Sequence, residues 1–159
     1  MSKNQSDYDI PPRKYNFHDD LKHGKKGEAL VESFLGALSG GAFEVKSDRY
    51  RNGRMVAEME QHPRRKMNPD GTEHWKPSGL AVTKADWWVY VFTLDGDEGA
   101  FMIVSVARLK RYIETHSGRL QVVDFAKNSG NPSRGYLLQP DDVQELMINP
   151  NYDAIRTNK

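Results

Sequence analysis

The chain contains no cysteine, which excludes a disulfide framework and thiolate zinc sites and suits a reducing cytoplasm. No apolar run approaches the roughly 18 residues of a membrane span, and no signal-peptide pattern opens the chain. Charge of one sign is also missing: 23 Lys and Arg against 22 Asp and Glu leave a net charge of +1. Without a global basic field, any nucleic-acid binding rests on local clusters. Three exist, at Lys22–Lys26 (with His23), Arg49–Arg54 and His62–Lys66, and each is equally well a solvated surface. The five histidines show no HExxH or similar ligand spacing, so a zinc hydrolase is set aside. There is no P-loop, and Gly40-Gly41 alone makes no dinucleotide fingerprint. What is present is enough aromatic residue, 10% of 159 positions, for one modest core in one domain.

Residues 1–16 are polar, with Pro11-Pro12 and almost no periodicity. We expect a flexible arm over 1–22, a domain over 23–150 and a tail over 151–159. From Gly27 the pattern changes: Leu30, Val31, Phe34, Leu35 and Leu38 recur at helical spacing until Gly40-Gly41. Glu28 lies in the first turn of that helix, where a carboxylate favours the dipole. Phe43–Asp48 and Met55–Gln61 alternate as strands, with Asn52-Gly53 between them. His62–Pro77 is a loop with an Asn68-Pro69-Asp70-Gly71 turn. Ala85–Phe92, rich in aromatic and β-branched residues, and the apolar Ala100–Val104 are strands, and the second runs into a helix through Ala107, Leu109, Tyr112 and Ile113. Leu120–Phe125 and Tyr136–Leu138 are further strands, and Pro140-Asp141-Asp142 opens a last helix. This order predicts an α/β (α+β) domain, a single mixed sheet flanked by helices. Of Trp87 and Trp88, one ring is expected in the core and the other at a surface or packing position; stacking on bases is the alternative.

The first two strands are expected to form a β-hairpin. A strict two-residue turn at Asn52-Gly53 would mix charged and apolar residues on both faces, and a slip of one residue separates them. We therefore predict an odd-length loop, or a bulge beside Gly53, that sets Asp48 opposite Glu58 and Lys46 opposite Glu60. Directly opposed carboxylates repel. A bound Mg²⁺ or Mn²⁺ explains three carboxylates beside one lysine; a solvated face with a Lys46–Glu60 pair explains it equally well.

These residues resemble the PD-(D/E)xK nuclease superfamily, whose restriction-endonuclease-like core runs helix, hairpin, strand. Glu28 matches the helix acid, Asp48 the Asp, and Glu58 the first acid of the (D/E)xK motif. Glu44–Asp48, Asn52-Gly53, Val56–Glu60, Lys76-Pro77-Ser78-Gly79 and Thr83–Trp88 are similar to a phage-associated endonuclease branch of that superfamily. The likeness covers residues 24–92. Two departures stand: Glu60 occupies the motif lysine position, and no proline precedes Asp48. In a second assignment Glu44-Val45-Lys46 is itself the motif, without an acid on an upstream strand.

The resemblance implies a metal-dependent hydrolysis of DNA phosphodiesters, in a bacterial or phage-infected cytoplasm. Its catalytic residues would be Glu28, Asp48, Glu58, Glu60 and Lys46, with Mg²⁺ or Mn²⁺ held by Asp48, Glu58 and Glu28. Lys46 would supply the positive charge that position 60 lacks. Lys76, Ser78 and Thr83 would contact phosphate, and Arg64, Arg65 and Lys66 would track the DNA backbone, branched, phage or host. Ordinary turn chemistry accounts for Lys76, Ser78 and Thr83 as well. Cutting two strands would call for a homodimer. The alternative is a catalytically inactive nuclease-fold protein that binds nucleic acid or a host protein.

Overall fold

The computed structural model describes residues 17–47, 52–92 and 100–152. The chain divides into two compact units, one ending at Gly36 and the other beginning at Ala37. Helix α1 (Phe17–Gly40) has 24 residues. It begins earlier than the apolar spacing suggests, so residues 17–22, expected in the arm, are helical. Gly41 N–H bonds Leu38 O and Ala42 N–H bonds Ala37 O, at 3.3 and 2.8 Å, the paired closure of a Schellman end.

In the second unit the strands make two hydrogen-bonded ladders. The first is a mixed sheet of β1 (Phe43–Ser47), β4 (Trp87–Val91) and β5 (Phe101–Ser105), with β4 central. β1 runs parallel to β4, Phe43 against Trp87 and Lys46 against Tyr90. β5 runs antiparallel to β4, Val104 against Trp88. β4 is apolar at every position and buried from Trp87 to Tyr90, as a strand covered on both faces must be. Both Trp87 and Trp88 are therefore interior.

The second ladder is antiparallel in the order β3, β2, β7, β6. It comprises β2 (Met55–Gln61), β3 (Lys76–Pro77), β6 (Gln121–Phe125) and β7 (Ser133–Leu138). Met55 and Ala57 of β2 are fully buried, while Val56 and Glu58 are half-buried. Gly135 of β7 lies against Ala57, so close that a β-carbon there would stand 2.2 Å from the Ala57 carbonyl oxygen. The ladders meet in one core that joins Met55, Leu80, Trp88, Tyr90, Met102 and Leu138. Tyr90 also links them by hydrogen bond, its hydroxyl accepting the Val56 N–H at 3.3 Å.

Helices α2 (Val106–His116) and α3 (Pro140–Ile148) close that core through Leu109, Tyr112 and Leu146. Asp142 fixes both. Its carboxylate accepts the Gln139 N–H at 2.9 Å, the Tyr112 hydroxyl at 2.8 Å and Arg119 Nη1 at 2.6 Å. The short 3₁₀ turn Pro150–Tyr152 buries Tyr152, so the expected tail from 151 is anchored at its start. Among the described residues, no helix is long and apolar enough to cross a membrane.

The mixed α+β class and the helix-flanked mixed sheet expected from the sequence are present, and an antiparallel sheet accompanies them. The expected hairpin is not. β1 and β2 lie in different ladders, because the all-apolar β4 needs a neighbour on each side and β1 supplies one. Gly53 has φ +70 and lies beside Pro140, while residues 48–51 of the expected turn lie outside the described residues. The register shift falls between Glu58 and Glu60, opposite β7.

Candidate functional site

Glu58 projects from β2 beside the break in its register. The segment after β3 folds back onto it. Ser78 N–H bonds Met59 O at 2.9 Å, and Ser78 Oγ donates to Glu58 Oε1 at 2.5 Å. Gly79 follows with φ +52, and a β-carbon on it would lie 2.6 Å from Glu58 O and 2.7 Å from Glu58 Cβ. Only glycine takes this left-handed, side-chain-free approach without strain. The 3₁₀ turn Gly79–Ala81 then buries Leu80, which locks the segment to the core.

The same segment reaches a second carboxylate. Thr83 N–H bonds Gly79 O at 2.9 Å, and Thr83 Oγ1 donates to Glu44 Oε2 at 3.4 Å. The other Glu44 oxygen pairs with Lys46 Nζ at 2.7 Å. These two residues share one face of β1 because side chains alternate along a strand. Lys46 Nζ also lies 5.7 Å from the ring centroid of Trp88, within cation–π range. The indole N–H of Trp88 is buried and has no partner among the described residues, a polar group that an added acceptor would satisfy.

Other expected site residues fall elsewhere. Asp48 lies outside the described residues. Glu28 is exposed on α1, in the unit that ends at Gly36. Lys46 does not face Glu60: its partner across the ladder is Tyr90. Glu60 pairs instead with Pro77 and Arg134, and its carboxylate lies 3.9 Å from Arg134 Nη1. Placing β1 and β2 in separate sheets removes the expected contact. Ser78 and Thr83 hydroxyls serve carboxylates, and Lys76 is exposed on β3.

The basic stretch His62–Lys66 is strained. Arg64 and Arg65 have φ of 51 and 50, which costs a non-glycine residue about 1–2 kcal/mol each. The turn between β6 and β7 holds them there. Asn131 Oδ1 accepts the Arg64 N–H at 2.8 Å, and the Arg65 guanidinium donates to the carbonyls of Lys127 and Ser129. Arg64 and Lys66 remain exposed.

Set against known family models, curated proteins and solved structures, the chain matches none. The donors around Glu58 and Glu44 are carboxylates and hydroxyls, the oxygen set a hard cation such as Mg²⁺ prefers. Among the described residues no three His, Asp or Glu side chains gather as a metal-holding group. Sequence reasoning placed Glu44 only in a second assignment and missed the part played by Gly79. The signal for Gly79 was its place directly after Ser78, where a turn residue would free the backbone to approach a neighbour.

Proposed function

We propose that this protein is a divalent-metal-dependent nuclease hydrolysing DNA phosphodiester bonds, with Glu58 at its centre. One observation supports the reading above others. The segment Ser78–Thr83 engages the Glu58 carboxylate at one end and, at the other, the Glu44 carboxylate paired with Lys46. The acids and the lysine stand on the strands β1 and β2 and the loop orients them through hydroxyls, and groups held this way on rigid elements suit binding and catalysis. The resemblance noted in the sequence points the same way.

Glu58, with Asp48 and Glu28, is the proposed ligand set for Mg²⁺ or Mn²⁺; the latter two are assigned on the resemblance alone. When bound, such an ion supplies a polarised scissile phosphate and a lowered pKa for a ligated water. Ser78 fixes the Glu58 carboxylate through one oxygen and leaves the other for ligation. Lys46, steadied by Glu44 and the Trp88 ring, stabilises charge developing on the phosphate. Glu60, beside Arg134, takes an outer position. Arg64 and Lys66 meet the DNA backbone through phosphate. The proposed setting is a bacterial or phage-infected cytoplasm, and the assembly for cutting both strands is a homodimer.

A second reading, binding of nucleic acid or a host protein without turnover, is favoured by Glu60 standing at the motif lysine position with Arg134 as its cation. Incubating plasmid, branched and single-stranded DNA with the protein and Mg²⁺ or Mn²⁺ separates the two. Metal-dependent cleavage of any substrate supports the nuclease; none on all three transfers the protein to the binding reading.

A further inference from the structure

A groove of about 360 Å³ opens on the antiparallel sheet. Met59, Pro77, Ala81, Val122 and Tyr136 line it, and Val122 is 53% exposed on its wall. Two charged groups, Glu60 and Arg134, complete the lining. Arg134 is held rigidly. Its Nε donates to Asp124 Oδ1 at 2.8 Å, and its guanidinium lies 4.0 Å from the ring centroid of Trp75. Glu60 is 3.9 Å from the same guanidinium, too far for a tight hydrogen bond, so each group keeps hydrogen-bonding capacity.

The groove lies next to the strained basic tip. Ser133, the neighbour of Arg134 in β7, pairs with Gln61, and His62 N–H bonds Pro132 O at 2.8 Å. Arg64, Lys66 and Lys127 are exposed around this end of the sheet. Charge therefore divides along the surface: cations at the tip, and beside it an apolar groove in which Arg134 is flanked by the Glu60 and Asp124 carboxylates.

We infer that this surface binds single-stranded nucleic acid, one unstacked base entering the groove while the sugar-phosphate chain lies on the basic tip. The inference rests on the proposed nuclease reading for its choice of nucleic acid as partner, and deepens it by naming the strand state of the substrate. A phosphate is disfavoured in the groove, because Asp124 already pairs with Arg134 and the Glu60 carboxylate lines the wall. A base is uncharged, stacks on the Tyr136 side, and offers edge donors to Glu60 and edge acceptors to Arg134. In a duplex both faces of every base are covered by its neighbours, so entry requires an unpaired or extruded nucleotide. Arg64, exposed at a tip that Asn131 and the Arg65 guanidinium pin, meets the adjoining phosphates.

The test is fluorescence anisotropy of a labelled 15-nucleotide oligothymidine and of a hairpin duplex of equal length, on the full chain in EDTA. Single-strand binding about tenfold tighter or more is expected, since one stacked base is worth about that factor. Val122→Asp should weaken single-strand binding about tenfold, with an unchanged melting temperature because the side chain is exposed. Arg64→Glu should weaken both probes and flatten their salt dependence. Equal affinity for the duplex, or undiminished binding by Val122→Asp, overturns the inference. So does a dimer in solution that Val122→Asp converts to monomer, which would make the groove an interface between copies. Because EDTA removes catalysis, the two readings fail separately. Binding without metal-dependent cleavage removes the nuclease; cleavage that Val122→Asp leaves intact, with binding also intact, removes the groove.

Discussion

Ser78 Oγ donates a 2.5 Å hydrogen bond to the carboxylate of Glu58, a residue twenty positions earlier in the chain. That bond crosses from a loop to a strand and sets the direction of a carboxylate proposed as a metal ligand. Gly79, next in sequence, presses its backbone on the same glutamate. The two residues separate orientation from packing, so their substitutions should differ.

Ser78→Ala should leave the fold nearly intact, at about 1 kcal/mol for one lost hydrogen bond, and lower metal-dependent turnover by freeing the Glu58 carboxylate. Gly79→Ala should lose more than about 2 kcal/mol, from a left-handed φ together with overpacking. Urea unfolding measures both losses, and the DNA cleavage rate measures the first variant's effect on turnover. Equal destabilisation by the two variants would contradict the division.

Gly135→Ala tests the pairing of β2 with β7. The added methyl would meet the Ala57 carbonyl oxygen at 2.2 Å, within the backbone of a paired strand where nothing flexible can give way. We expect about 3 kcal/mol or more of destabilisation, at or beyond the upper end of ordinary overpacking. A melting temperature within two or three degrees of the parent would place β2 elsewhere.

Asp142 makes stability depend on acid. Burial pushes its carboxyl pKa up, but bonds from the Gln139 N–H, Arg119 and Tyr112 outweigh this and leave it below the ordinary carboxylate value. A depressed folded pKa contributes stability that is full above the unfolded value near pH 4, and is lost as pH falls through the folded value. Asp142→Asn should be less stable than the parent by about 1–2 kcal/mol at neutral pH, with the gap narrowing below about pH 4. Parallel urea titrations from pH 7 to pH 2.5 follow it. A gap constant across that range would show that the carboxylate's charge is not what holds α2 and α3 together.

Lys46→Met should behave as a functional change alone. Its pair with Glu44 is part-exposed, where such a bridge is worth about 0–1 kcal/mol. We expect little change in melting temperature and a fall in cleavage rate at saturating DNA of at least about tenfold. A normal rate in this variant would remove Lys46 from the site.

The elements were largely legible in the sequence, since each depends on local spacing. β1, β2, β4, β5 and α3 fall within a residue or two of their expected bounds. Their partners were not legible. Alternation told that β1 and β2 each have two faces, but not that β1 would pair with Trp87–Val91, more than forty residues onward. The Asn52-Gly53 signal pointed to a local hairpin; the need of an all-apolar strand to be central, and the room Gly135 gives β2, outweighed it. The site followed the same division. Glu58, Ser78 and Thr83 were picked out by type and motif, while their contacts with one another and with Glu44 depend on a fold-back that no periodicity reveals.

The central claim is that Glu58 serves metal-dependent phosphodiester cleavage, and Glu58→Gln tests it most directly. The substitution keeps the shape of the side chain and an oxygen for Ser78, and removes the charge a cation requires. Single-turnover cleavage of a labelled single-stranded oligonucleotide should be measured with Mg²⁺ and Mn²⁺ for parent and variant at matched folded fraction. The account predicts metal-dependent product from the parent and a loss of at least about a hundredfold in the variant. Cleavage by Glu58→Gln at the parental rate would contradict it.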